Sequence, residues 1–327
     1  MKMMRAWIPS LSLASLKQPL QAAFLLPPAY YGTAVLLILA SMFRPMLMSE
    51  AYFWVILRQA APLGLVVLGQ ALVVRVRSID LSVGGIVIGV NYIATSAYLS
   101  GFPDSVIIIA CLALGILAGV VNGTLITRFR GSAVIVTMAM TIIFIGVVVA
   151  FSRYTPPGDV PELVRTIGSG RLHGIPIAAL IWACAAIPLG LIMRQTVFGR
   201  YLDAAGANPT AAALSGIPYL KTMLITHIIS GFCAALGGLL LAGFVGTGST
   251  DTGIGQDLIL NSIAAVILGG VTFGGGRGRV LGPVAGAFML TFLLNFLTSF
   301  GFEASGKLMM QGGIIAMAAM VDALKNK

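Results

Sequence analysis

Long apolar runs separated by short polar breaks follow one another from residue 25 almost to the end of the chain. Such a run closes all its backbone hydrogen bonds within one helix, which is what a hydrocarbon layer demands, and about 17–25 residues make a straight crossing. The candidate spans are 25–43, 55–74, 80–99, 105–127, 133–152, 174–193, 222–245, 258–272, 281–300 and 307–322. They predict an all-α membrane protein, a polytopic bundle of about ten transmembrane helices. Composition agrees, because 58% of the 327 residues are hydrophobic and only 9% charged. A soluble domain of ordinary make-up carries about 25% charged residues. A cytosolic enzyme, a disordered chain and a nucleic-acid binder are excluded on that ground.

The net charge of +10 would suggest nucleic acid in a soluble protein. Here the basic residues stand singly or in pairs between apolar runs, where the orientation rule for membrane loops accounts for them. With ten crossings and a cytoplasmic N-terminus, fourteen of the 20 Lys and Arg fall inside: Lys2, Arg5, Lys17, Arg75, Arg77, Arg128, Arg130, Arg194, Arg200, Lys221, Arg277, Arg279, Lys325 and Lys327. Six fall outside: Arg44, Arg58, Arg153, Arg165, Arg171 and Lys307. Both termini are expected in the cytoplasm. The organisation read from this is a cytoplasmic segment (1–24), one membrane domain (25–322) and a short tail (323–327). The first apolar run follows Pro27-Pro28 and lacks a small-residue cleavage site, so it reads as a retained helix.

Two segments between spans are long. Residues 153–173 form an outer loop rich in Pro, Gly and charge, and residues 194–221 form an inner one. The weakest span, 258–272, runs into glycines and reads as a broken crossing, while Pro62, Gly64 and Gly69 predict a kink in the second. Gly85-x3-Gly89, Gly115-x3-Gly119-x3-Gly123 and Gly278-x3-Gly282-x3-Gly286 read as faces for close helix contact.

Chemistry is sparse. Asp80 begins one helix, as its N-cap in preference to a substrate contact, and Asp322 ends another, but no acid stands in mid-span. His227 reads as a lone packed histidine. Cys111, Cys184 and Cys233 each lie in an apolar run without CxxC spacing, so they read as core residues, and no metal site or catalytic residue is expected. Gly301 to Lys307 fits G-x4-G-K, but Leu308 stands where a phosphate-binding loop needs a hydroxyl, and the segment reads as a turn. Gln70, Asn91, Thr95, Asn122 and Asn295 are the polar residues within spans that could line a path or join helices. A chain without mid-span acids lacks the usual means of powering its own transport.

The inner loop is the informative part. "RYLDAA" (Arg200–Ala205) reads as a short helix stopping at Gly206. Asn208 then supplies an N-cap, Pro209 the first helical position, and Gly216 with Pro218 a stop. The small "TAAALS" between them reads on composition alone as a connector lying on the bilayer. It lacks the basic face and large apolar face of such a helix, so a helix seated in another protein's groove gains ground.

"AAGANPTAAALSGI" (Ala204–Ile217) resembles the cytoplasmic coupling-helix signature of permeases in ribose-type ATP-binding-cassette sugar importers. "IDLSVGG" (Ile79–Gly85), "VNGTLITRF" (Val121–Phe129), "VIVTMAM" (Val134–Met140), "SGRLHGIP" (Ser169–Pro176) and the glycine-rich Ala264–Ala287 resemble its other signatures, in order. The resemblance implies a permease subunit of the inner (plasma) membrane, working as a pair, that translocates a sugar or sugar-like solute. It implies a cytoplasmic ATPase partner that uses ATP, with no cofactor on this chain, and a periplasmic or surface-anchored sugar-binding protein. By the same resemblance, Asp203, Ala204, Ala205, Gly206, Asn208, Ala211, Ala212, Leu214, Ser215, Gly216 and Ile217 would contact the ATPase. The chain departs from the pattern at Pro209-Thr210, where an acid is usual, and at Arg77-Ser78, where a glycine pair is usual. The second departure places two positive charges, with Arg75, beside the coupling loop. A self-powered secondary transporter and a membrane-embedded transferase are the rival readings.

Overall fold

The computed structural model describes residues 26–153, 158–249, 253–272, 275 and 281–325. The predicted N-terminal segment, Arg277, Arg279 and Gly278 lie outside them.

The described chain is helical apart from one two-residue hairpin. In order the helices are α1 (Pro28–Phe43), α2 (Glu50–Arg75), α3 (Ser82–Thr95), α4 (Asp104–Arg128) and α5 (Ala133–Ser152). A short α6 (Glu162–Ser169) and the hairpin β1 (Arg171–Leu172)–β2 (Ile175–Pro176) lead to α7 (Ile177–Gln195). Two short helices, α8 (Val197–Ala207) and α9 (Pro209–Leu214), precede α10 (Tyr219–Val245), α11 (Gly253–Leu268), α12 (Leu281–Ser299) and α13 (Ala304–Lys325). Six of them, α2, α4, α5, α7, α10 and α12, are long and apolar enough to cross a membrane.

Helix α10 is the hub, packed against α2, α3 and α4. The approach is backbone to backbone. A Cβ on Gly115 would overlap the Gly231 carbonyl, one on Gly119 the His227 carbonyl, and one on Gly123 would come within 2.6 Å of Leu224 Cδ1. The glycine stripe read from α4 is therefore the seam against α10, where close approach replaces side-chain burial as the source of attraction. Gly85 meets α5 at Thr141, Gly286 meets α11 at Ala265, and Gly282 meets Gly269 just past the end of α11. Pro62 lies inside α2, and beyond it Gly64 faces Trp182 of α7 and Gly69 faces Ser230 of α10.

Three expectations are revised. Helix α3 is 14 residues long, about 21 Å, against a hydrocarbon core of about 30 Å. The chain that feeds it, residues 76–81, is irregular, with Val76, Ser78 and Asp80 buried in the bundle, Ile79 and Leu81 half-buried, and Arg77 exposed. Irregular backbone at such depth is tolerated because protein groups satisfy it: Thr137 Oγ1 of α5 accepts from Leu81 N at 3.0 Å, and Thr141 Oγ1 donates to Leu81 O at 2.7 Å. Second, Asp80 is two residues ahead of α3 rather than its N-cap, since the helix begins at Ser82; its Oδ1 still accepts from Ser82 N at 3.0 Å. Third, the outer loop 153–173 contains α6, whose buried Val164 and Gly168 pack on α10 at Gly243. Asp104 Oδ2 accepts from Leu163 N at 2.9 Å, so a carboxylate from α4 caps this helix across 59 residues.

The loops gather at two ends. At one, Gly158 N donates to Thr95 O, Gly248 N to Gly158 O, and Ser249 N to Asn91 Oδ1. At the other lie 76–81, α8, α9 and Gly275. Within Gly301–Lys307 the turn is 301–303, with Gly301 at φ 79°, and 304–307 is already the first turn of α13.

Candidate functional site

Helices α8 and α9 are built as their punctuation requires. Asn208 is extended (φ −154°, ψ 102°), its Oδ1 accepts from Ala211 N at 3.0 Å, and Pro209 follows as the first helical residue. Gly216 at φ 79° ends the segment in the left-handed region that glycine enters without strain. Only the stop at Gly206 differs, since α8 passes through it to Ala207.

The segment has two faces. Leu202, Ala205, Gly206 and Ala212 are buried against the protein, and Asp203, Ala204 and Ile217 are half-buried. Asn208, Ala211, Leu214, Ser215 and Gly216 are exposed, Leu214 by 87%. Most of the residues read as one contact surface thus divide between an inner face that seats the segment and an outer face left open.

Two arginines at the end of α2 do the seating, Arg75 and Arg77. Arg75, its side chain 6% exposed, forms an ion pair with Asp203, whose side chain is 46% exposed. Arg77 takes φ 60°, and donates from Nε to Gly206 O and from Nη2 to Ala207 O, both at 2.6 Å. Those carbonyls lie in the last turn of α8, which a helix leaves without intrahelical partners. The charges stand beside the loop as the sequence implies, but they are engaged within the chain rather than free toward a partner. Gly275, at φ 75°, closes over them: a Cβ there would lie 2.6 Å from Arg77 Cγ.

Behind this contact is a buried polar network. His227 is fully buried, not lone: its Nε2 lies 3.0 Å from Ser78 Oγ, and its Nδ1 lies 3.9 Å from Asp80 Oδ2. Asn122 Nδ2 donates to Ser82 Oγ at 2.8 Å, and Ser82 Oγ donates to Asp80 Oδ1 at 2.6 Å. One acid is therefore held inside the bundle after all. The set Ser78–His227–Asp80 has the residue types of a nucleophile, base and acid. Its His–Asp separation exceeds a hydrogen bond, and Ser78 is only 3% exposed, so the arrangement organises helices rather than attacking a substrate. No local pattern could reveal it, because the contact joins residues 149 apart.

The remaining polar residues fall in separate places. Asn91 Oδ1 accepts from Ser249 N at 2.9 Å, and Thr95 Oγ1 donates to Asn91 O one turn earlier. Both are at the end of α3 away from α8–α9, where Asn91 lines a small crevice with Val87, Gly238 and Ser249. Asn122 belongs to the buried network. Asn295 donates to Gln59 Oε1 at 2.8 Å and accepts from Tyr52 at 3.2 Å, joining α12 to α2. Gln70 is fully buried in α2, and neither of its side-chain polar atoms has a partner among the described residues. A larger cleft of about 500 Å³ opens beside Arg44, Ser49, Tyr52, Arg171 and Ser299, far in the chain from α8–α9.

The architecture is a bundle with six helices long and apolar enough to cross a membrane and a seated, outward-facing pair of short helices. Comparison with known proteins gives the family: residues 52–319 match the model described as branched-chain amino acid transport system / permease component. The chain is 30% identical over 296 residues to the ribose import permease protein RbsC of Escherichia coli K12, covering 89% of this chain and 92% of that one. It is 31% identical over 310 residues to the probable ABC transporter permease protein y4mJ of Sinorhizobium fredii, covering 94% and 92%. It is also 29% identical over 336 residues to the xylose transport system permease protein XylH of Haemophilus influenzae, covering 83% and 88%. No solved structure matches the chain significantly. The chain belongs to this permease family, and it is a multi-pass protein of the inner (plasma) membrane.

Proposed function

We propose that this chain is the permease subunit of an ATP-binding-cassette importer that carries a sugar or sugar-like polar solute across the inner membrane. Ten crossings follow if the short apolar helices α1, α3 and α11, and α13, join the six long ones, with both termini cytoplasmic. The relatives' printed names concern ribose and xylose, which supports a sugar as the solute class. ATP is used by a separate cytoplasmic ATPase, a sugar-binding protein delivers the solute, a second copy of the chain completes the pathway, and the chain holds no cofactor of its own.

The observation that carries the reading is the exposed face of α8–α9. Leu214, a large apolar side chain, stands 87% exposed beside Ala211, Ser215 and Gly216 on a segment too short to cross a membrane. Small residues around one apolar knob fit a groove on a partner protein. ATP-driven closure of the ATPase pair would push on this face and bias the bundle between inward- and outward-open states. Ala211→Asp and Leu214→Asp place a charge on the open face without entering the core, whereas Ala212 is buried and a charge there would perturb the fold. Each should abolish co-purification of the ATPase and solute uptake while leaving membrane insertion intact. Normal association in both variants would overturn the docking assignment.

A second reading, a self-powered secondary transporter, draws on the buried Asp80–His227 pair, an acid and a histidine enclosed by the bundle. Uptake driven by a proton gradient in vesicles holding this chain alone would favour it.

A further inference from the structure

Residues 75–80 touch three helices at once. Arg75 and Arg77 hold the end of α8, Ser78 holds His227 of the central helix α10, and Asp80 receives the first amide of α3. At Arg77 the backbone sits at φ 60°, a conformation glycine adopts freely and a long side chain does not favour. A side chain there needs compensation, and both donors of the Arg77 fork that face α8 meet carbonyls at 2.6 Å. These are charge-assisted bonds to groups that α8 would otherwise leave open, and a planar guanidinium fixes direction as well as distance. The next residue, Ser78, continues the linkage into the core within one peptide unit.

We propose that Arg77, with Arg75, is a positioning residue that carries displacement of α8–α9 into α3 and α10. The inference rests on the docking of α8–α9 to an ATPase. Without the arginine fork, α8 could shift under the ATPase while 76–81 stayed in place. With it, a shift of α8 pulls the segment that starts α3 and contacts His227.

The test uses the full-length permease co-purified with its ATPase subunit, with hydrogen–deuterium exchange measured before and after trapping with ATP and vanadate. Arg77→Gly suits the left-handed backbone and removes the fork, and Arg77→Asn, also tolerated at positive φ, serves as a second variant that keeps a polar side chain. In the unaltered complex, trapping should change exchange in 200–214, in 82–90 and around His227. In both variants the change in 200–214 should persist and the change in 82–90 and around His227 should be lost. A purely structural role for Arg77 would alter complex yield or exchange equally in both states, leaving the trapped-minus-free difference at 82–90 intact; that result overturns the proposal. If trapping leaves 200–214 unchanged in the unaltered complex, the docking reading fails, and the linkage fails with it.

Discussion

Ser78 Oγ lies 3.0 Å from Nε2 of His227, with both residues shut away from solvent. Through this bond the loop entering α3 is tied to the central helix. Ser78→Ala should lower stability by about 1–2 kcal/mol, the loss of a buried partner. His227→Phe leaves buried Ser78 Oγ without its partner and should cost about 1–3 kcal/mol. The two effects should not add, since they act on one network. Thermal midpoints of the detergent-purified protein check this. A His227→Phe protein as stable as the parent would contradict it.

Arg75 and Asp203 offer a second test. Removing Asp203 leaves a nearly buried guanidinium without its carboxylate, but Asp203 is half in solvent, so the cost should be modest, about 1–2 kcal/mol. Asp203→Arg should be worse, through repulsion, and Arg75→Asp with Asp203→Arg should recover most of the stability and uptake. Recovery absent in the double variant, with each single variant impaired, would show that the pair is not the operative contact.

The outline of the fold was legible because apolar run length and the hydrogen-bonding demands of a bilayer leave little choice. Asn208 and Pro209 announced the break between α8 and α9 by local chemistry alone. Helix α6 was missed although Leu163, Val164 and Ile167 fall at helical spacing, because the run is only eight residues long in a Pro- and Gly-rich loop and its cap comes from Asp104 on another helix. The roles of Arg77 and His227 were hidden for a related reason. A positive φ leaves no mark in a sequence when an arginine occupies it, and the His227 contacts form only when α10 is laid against the α2–α3 loop. Asp80, read as a cap at a helix start, proved to be an acid enclosed by the bundle.

The cysteines report on packing. Cys111 and Cys233 are buried in the seams of α4 and α10, and Cys184 on α7 is exposed. Cys184 stands mid-span on the open face of α7, toward lipid or detergent rather than water. A charged, water-soluble maleimide should therefore leave the cysteines of the native protein unmodified, and all 3 should react after denaturation in dodecyl sulfate, as counted by intact mass. Rapid native modification of Cys111 would contradict the seam between α3, α4 and α10.

The central claim is that the engine lies on another chain and acts through α8–α9. Its most direct test is uptake of radiolabelled ribose and xylose by proteoliposomes holding the permease, with or without its ATPase and binding protein. Uptake should require all three proteins and ATP, and should vanish with Leu214→Asp. Ion-gradient-driven uptake by the permease alone, unaffected by Leu214→Asp, would contradict it.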